Sequence, residues 1–174
     1  MQKSAVLKAV LILSLLVLTA CSRAKPLSTE DVAAAYSGGF ACSAVITAAE
    51  DEFAADIEKR GGSLAFTVTA PKSMAGLSAV LDGEKAAFDY CGISAEFTLS
   101  DIPATAPAAL FCRAAQALCL PDGISLSAEQ TRIVARFDGF SAELNPEDFA
   151  LVRLAFPAQE TVFAIENFRF LEKN

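Results

Sequence analysis

The residues with the most chemistry to offer are five cysteines: Cys21 at the end of an apolar leader, and Cys42, Cys91, Cys112 and Cys119 in the body. A reactive thiol needs a base or a metal beside it. The chain has no histidine, which removes Ser-His-Asp and Cys-His nucleophile pairs and every His-bearing metal site. No Cys-x-x-Cys is present, so neither a zinc knuckle nor a thioredoxin-like redox site is signalled. An even count of four allows three disulfide pairings in an exported chain. A helix over 107–120 would separate Cys112 from Cys119 by about 10.5 Å along its axis, beyond the ~7 Å limit for bridged Cα atoms. Burial as small apolar side chains is the first expectation for most of these thiols. The acidic neighbours Glu50-Asp51-Glu52 and Glu147-Asp148 fall in predicted turns, where solvated charge is the ordinary state. Gly38-Gly39 and Gly61-Gly62 are turn glycines outside any phosphate-binding motif. No catalytic residue, cofactor or metal is expected, and the chain does not read as an enzyme.

The leader is more specific. Lys3 and Lys8 precede an apolar run from Ala9 to Leu18, broken only by Ser14 and followed by Thr19-Ala20. Such a run is too short for a bilayer core, which takes about 20 residues, and reads as a secretory signal. The junction Leu18-Thr19-Ala20-Cys21 resembles the bacterial lipobox. That resemblance implies diacylglyceryl transfer to the Cys21 thiol, cleavage before it, and acyl chains of the palmitate type on the new N-terminus. Each buried methylene adds about 0.8 kcal/mol, and two chains give stable anchoring. The expected organisation is a signal peptide over 1–20, a lipidated tether over 21–28 and one domain over 29–174. The expected location is the extracytoplasmic face of the cell membrane, held by lipid. Arg23 and Lys25 in the tether either favour anionic headgroups or are simply solvated.

The elements that would position anything else must come from the body. The chain has 174 residues, 53% of them hydrophobic, with 14 basic and 21 acidic side chains and a net charge of −7. That length suits one domain with a real core. The acidic balance, more negative once Lys3 and Lys8 leave with the leader, argues against a nucleic-acid partner, which needs a basic face. Ser28-Thr29-Glu30-Asp31 supplies a cap and first-turn acids to a short helix ending before Gly38-Gly39. The period then becomes two. Phe40, Cys42, Ala44 and Ile46 share one face, as do Phe53, Ala55 and Ile57, then Leu64, Phe66 and Val68. Leu77–Leu81, an Asp82-Gly83 turn, Glu84–Cys91 and Ile93–Leu99 continue an antiparallel meander. Pro103 and Pro107 interrupt it. Leu110, Phe111, Ala114 and Leu118 then form a helical apolar stripe, stopped by Pro121-Asp122-Gly123. Strands resume at 124–128, 131–137, 140–144, 149–156 and 161–171, with a bulge expected near Glu166-Asn167, where the apolar phase shifts.

The expected fold is therefore α+β, mostly β: a curved antiparallel sheet of roughly ten strands, an open half-barrel, with a short N-terminal helix and an inserted helix covering the concave face. This order resembles the LolA/LolB/LppX-like lipoprotein-carrier fold, and more closely small clostridial-type lipoproteins that share it. The resemblance rests on the lipobox, on Gly62–Pro71 with Met74-Ala75-Gly76-Leu77, and on Val162–Phe168. It implies a half-barrel whose apolar concave face, plugged by helices, holds acyl chains or a partner. No family site residue is carried over.

Thirteen of the aromatic residues are Phe and none is Trp, so the interior has few polar groups to satisfy and suits either a dry core or a lipid cavity. The expected ligand-lining residues are Phe66, Val68, Phe88 and Phe97 from the strands, with Leu110, Phe111 and Leu118 facing them from the helix. The expected function is binding of a lipid or other apolar ligand by a membrane-tethered, non-catalytic lipoprotein. The alternative is an interaction lipoprotein that docks a cell-envelope protein, such as a cell-wall hydrolase, through its sheet surface. A continuous apolar cavity favours the first; a filled interior with an exposed apolar edge favours the second.

Overall fold

A computed structural model describes residues 27–129 and 131–172. The leader, Cys21 and most of the tether lie outside the described residues. Helix α1 spans Thr29–Tyr36, and Ser28 caps it as the spacing predicts: its Oγ accepts from the Glu30 N–H at 3.2 Å. The Ser28 hydroxyl also donates to the Glu30 carboxylate, which with the backbone bond holds that carboxyl below its ordinary range.

The chain then forms β1 (Gly39–Ala48), β2 (Asp51–Arg60), β3 (Ser63–Ala70), β4 (Ser78–Asp82), β5 (Lys85–Tyr90) and β6 (Ile93–Thr98). Helix α2 (Pro107–Ala117) follows, with Pro107 in its first turn, where the missing N–H costs no helical bond. The last strands are β7 (Ser125–Glu129), β8 (Arg132–Phe137), β9 (Phe140–Leu144), β10 (Leu151–Phe156) and β11 (Thr161–Leu171). All eleven form one antiparallel sheet in the order β6-β5-β4-β3-β2-β1-β11-β10-β9-β8-β7. The sheet is open, not closed into a barrel, and the α+β half-barrel read from the sequence is the architecture found.

The order explains why a helix lies inside. The chain meanders outward from the central strand β1 to one edge at β6, then must reach the other edge at β7. It crosses the sheet face as α2 and meanders back until β11 pairs with β1. The helix side is the inner face. Register places Phe40, Cys42, Ala44 and Ile46 of β1 on it, in line with Lys59, Ile57, Ala55 and Phe53 of β2. The expected bulge is present: register shifts from Ser43↔Glu166 to Ala41↔Arg169, and Asn167 takes a positive φ of 51°. The extra residue restores inward facing to Phe168 and Phe170, which pack their rings on Phe40 and Tyr36.

One departure lies at the β5–β6 hairpin. Cys91 continues a strand in the alternation of the sequence, but the chain turns there, with Cys91 and Gly92 at φ 53° and 80° between the paired Tyr90 and Ile93. Two positive φ values match the twist of a tight hairpin, and the turn leaves Cys91 exposed.

Lys59 is a buried charge on the inner face, 7% exposed. Its Nζ donates to the carbonyls of Gly38 (3.1 Å) and Tyr36 (3.4 Å) at the C-terminal end of α1. That end has no basic residue of its own, so Lys59 meets both its unpaired carbonyls and its partial negative charge. Gly39 allows the approach: a Cβ there would sit 2.8 Å from the Lys59 carbonyl oxygen.

Candidate binding surface

The middle of the inner face is sealed. Leu110, Phe111 and Ala114 of α2, with Leu118 just after it, are at most 1% exposed and join Phe66, Val68, Ile46, Phe156 and Phe163 in one core. Phe111 meets Phe163 edge-on at 5.4 Å between ring centres and lies 6.2 Å from Phe40. Five of the seven expected lining residues (Phe66, Val68, Leu110, Phe111 and Leu118) are therefore brought together, but against each other. The space read as a cavity is filled at these residues, because the Phe and Ala side chains interdigitate with the helix as an ordinary core does.

Phe88 and Phe97 differ. Register carries the inner face outward along Phe66↔Ala79↔Phe88↔Ala95 and Leu64↔Leu81↔Ala86↔Phe97. Both rings are thus on the predicted face, edge-on to each other at 5.7 Å. Phe88 is half-buried against the core, whereas Phe97 is 47% exposed and does not face the helix. The expectation that it looks across at Leu110 and Leu118 is corrected here: β6 is the edge strand, and α2 does not extend over it. Ile93, in phase with Phe97, is 75% exposed, and Tyr90 opposite Ile93 is 37% exposed. The Tyr90 hydroxyl donates to the Ser73 carbonyl at 2.6 Å, which fixes the ring beside the β3–β4 loop. Phe88, Tyr90, Ile93, Ala95 and Phe97 form an apolar strip on the inner face beyond the helix. Sequence alternation marked Ile93 as in phase with Phe97. The missing information was strand order, which decides what the helix covers.

Other concavities suit an apolar ligand less well. The outer face carries an open trough of about 620 Å³ along β1, floored by Ala41 and Ser43 and rimmed by Asp56, Glu58, Asn167 and Arg169. Ser43 donates to Asp56 at 2.8 Å there, and four polar rims do not suit a hydrocarbon. A cleft of about 250 Å³ lies between α2 and the crossover, beside Leu99, Ile102, Cys112 and Arg113. That is below the ~300–1,000 Å³ of typical small-molecule sites.

The thiols of Cys42, Cys91, Cys112 and Cys119 are free. Burial pushes the Cys42 thiol up to about 12, with Asp56 adding to the effect. Burial also raises Cys112, partly offset by nearby Lys59. Cys119 donates to the carbonyls of Tyr36 and Ala115, each at 3.1 Å. Raised thiol values mean poor nucleophiles. The acidic runs at 50–52 and 147–148 are exposed; Glu50 and Glu147-Asp148 lie in turns as expected, whereas Asp51 and Glu52 open β2.

No family model matches the chain, nor does any of the curated proteins. Solved structures do. An uncharacterized conserved protein from Thermus thermophilus superposes with a TM-score of 0.52 at 12% identity, over 82% of this chain and 85% of that one. The likeness is one of fold. A LolA superfamily protein from Nitrosomonas europaea superposes with a TM-score of 0.44 at 9% identity, over 85% of this chain and 96% of that one.

Proposed function

We propose that this protein is a non-catalytic binding module, tethered by lipid on Cys21 to the extracytoplasmic face of the cell membrane, whose ligand is a lipid or another apolar molecule. The ligand lies on the strip of Phe88, Tyr90, Ile93 and Phe97. One observation carries this reading: the inner face is sealed under α2, yet it continues past the helix as exposed apolar side chains, with Ile93 at 75% and Phe97 at 47%. Fully burying such a side chain is worth about 1.5–3 kcal/mol, so this uncovered surface is where an apolar ligand gains most. Among the described residues no helix is long and apolar enough to cross a membrane.

Two experiments test it. Native mass spectrometry of the protein released from membranes should show retained lipid, and a lipid-free, folded sample would count against the ligand. Cys21→Ala should leave an unprocessed or released form; protein still membrane-bound after leader cleavage would contradict the anchor. The second reading, docking of a cell-envelope protein at the same edge, is favoured by both halves of that arrangement, the filled interior around Leu110, Phe111 and Leu118 and the exposed apolar edge at Ile93 and Phe97.

A further inference from the structure

We infer that the free edge of β6 pairs with β6 of a second copy of this chain, so that the apolar strip is completed across two protomers. β6 runs Ile93-Ser94-Ala95-Glu96-Phe97-Thr98 and ends the sheet. It carries no Pro, no Lys and no register shift against β5, and of the devices that usually blunt an edge it has a single charged side chain, Glu96. The hairpin fixes which groups are free. A two-residue turn closes on a pair that exchanges both hydrogen bonds, so Tyr90 with Ile93, Phe88 with Ala95 and Ala86 with Phe97 point their amides at each other. The main-chain N–H and C=O of Ser94 and Glu96 then face outward. Neighbouring bonds agree with this alternation: Leu99 N–H turns inward to the Glu84 carbonyl at 2.7 Å, while Thr98 N–H leaves the ladder for the Asp101 carboxylate at 3.2 Å.

Those outward groups are self-complementary in one antiparallel register. With Ala95 opposite Ala95 of the second copy, Ser94 and Glu96 exchange both hydrogen bonds, and they do so twice by symmetry. On the inner face Ile93 then lies opposite Phe97 of the second copy, so the two most exposed apolar residues of the strip cover each other. On the outer face Glu96 meets Ser94 and not its own counterpart. Moving the register by one residue on each chain sets Glu96 directly against Glu96, which costs like-charge repulsion. A six-residue edge buries less than the ~800 Å² per partner of a standard interface. Confinement of anchored copies to one membrane plane supplies the effective concentration that such an edge lacks in dilute solution. The inference deepens the proposed ligand site and rests on that reading for its use. Its test reads geometry alone, so its failure leaves ligand binding standing.

The test is cysteine cross-linking of the full chain in membranes, in a Cys91→Ser background. Ala95 sits at a non-hydrogen-bonded position of the proposed pair, where opposed Cα atoms lie about 4.5 Å apart, within reach of a disulfide. Ala95→Cys should give a disulfide-linked dimer on mild oxidation. Val80→Cys, an exposed position on the outer face of β4, should stay monomeric, as should the background alone. Adding Glu96→Pro removes an outward N–H without touching a β5 bond and should reduce the Ala95→Cys dimer at least about tenfold. Absence of the dimer, equal dimer from Val80→Cys, or a dimer indifferent to Glu96→Pro would overturn the pairing.

Discussion

Two hairpins of the sheet, β8–β9 and β5–β6, begin from the same alternation and finish differently. At β8–β9, one strand in from the β7 edge, Ile133, Ala135, Ala142 and Leu144 are buried, and Phe140 stacks on Phe137 at 4.4 Å and on Phe156 at 5.1 Å. Its outer side is tied by Glu143, which accepts from both Arg132 and Arg153. At the β5–β6 end, Ala86 is buried next to an exposed Phe97, and every residue of β6 is exposed. Both ends carry apolar residues at every second position. What separates them is how far the cover reaches: α2 packs its Phe111 and Arg113 on Phe40, Phe163 and Phe156, and the shared core runs out to Ala79, Leu81 and Ala86 but leaves β6 bare. A period-two pattern says that a face is apolar, not that anything covers it.

The largest expected effect sharpens that contrast with one residue type. Phe111→Ala, in the sealed middle, should cost roughly 3–5 kcal/mol in urea unfolding, while Phe97→Ala should cost under about 1 kcal/mol. Similar losses at both positions would mean that β6 is packed after all. Next comes pH. Cys42 and Tyr36 keep their neutral forms in the fold, with the thiol at about 12 against an ordinary 9.0 and the phenol raised well above 10.0, both chiefly by burial. The unfolded chain therefore loses these protons first. Stability should be complete below about pH 9 and fall as pH rises toward 12, by up to about 1.4 kcal/mol per pH unit for each group in its own window. Cys42→Ala should flatten the part that begins near pH 9, and an unchanged slope would contradict the assignment. Thiol labelling reads the same contrast kinetically: exposed Cys91 in the open hairpin should react in the native state, with Cys42 and Cys112 reacting only on unfolding. The smallest effect belongs to the sealed end, where the Arg153 side chain is 42% exposed. Arg153→Ala should cost about 0.5 kcal/mol, as partly exposed ion pairs do, and a loss above about 2 kcal/mol would give that end an unexpected electrostatic latch.

Much of this was legible in the residues. Ser28 with Glu30 gave the start of α1, Asp82-Gly83 gave a hairpin, and the switch from Phe163 and Ile165 to Phe168 and Phe170 gave the bulge at Asn167. Each is a local signal, set by backbone geometry within a few residues. The filling of the space around Leu110, Phe111 and Leu118 was not legible, because close packing depends on which side chains meet from strands far apart in sequence. Lys59 had a readable signal: it falls in phase with Ala55 and Ile57, a cation on an apolar face. Its purpose, to meet the last carbonyls of α1, needed the three-dimensional approach that Gly39 permits.

In the proposed function the ligand surface is the exposed strip and not the interior. A fluorescent fatty acid titrated into the body of the chain, residues 22–174, tests it most directly. Saturable binding is expected, weakened at least about tenfold by Ile93→Ser combined with Phe97→Ser, since tenfold is about 1.4 kcal/mol and two partly exposed apolar side chains supply that much on burial. Binding that survives the double substitution would place the ligand elsewhere, and no binding by a well-folded sample would leave docking of an envelope protein as the function of this edge.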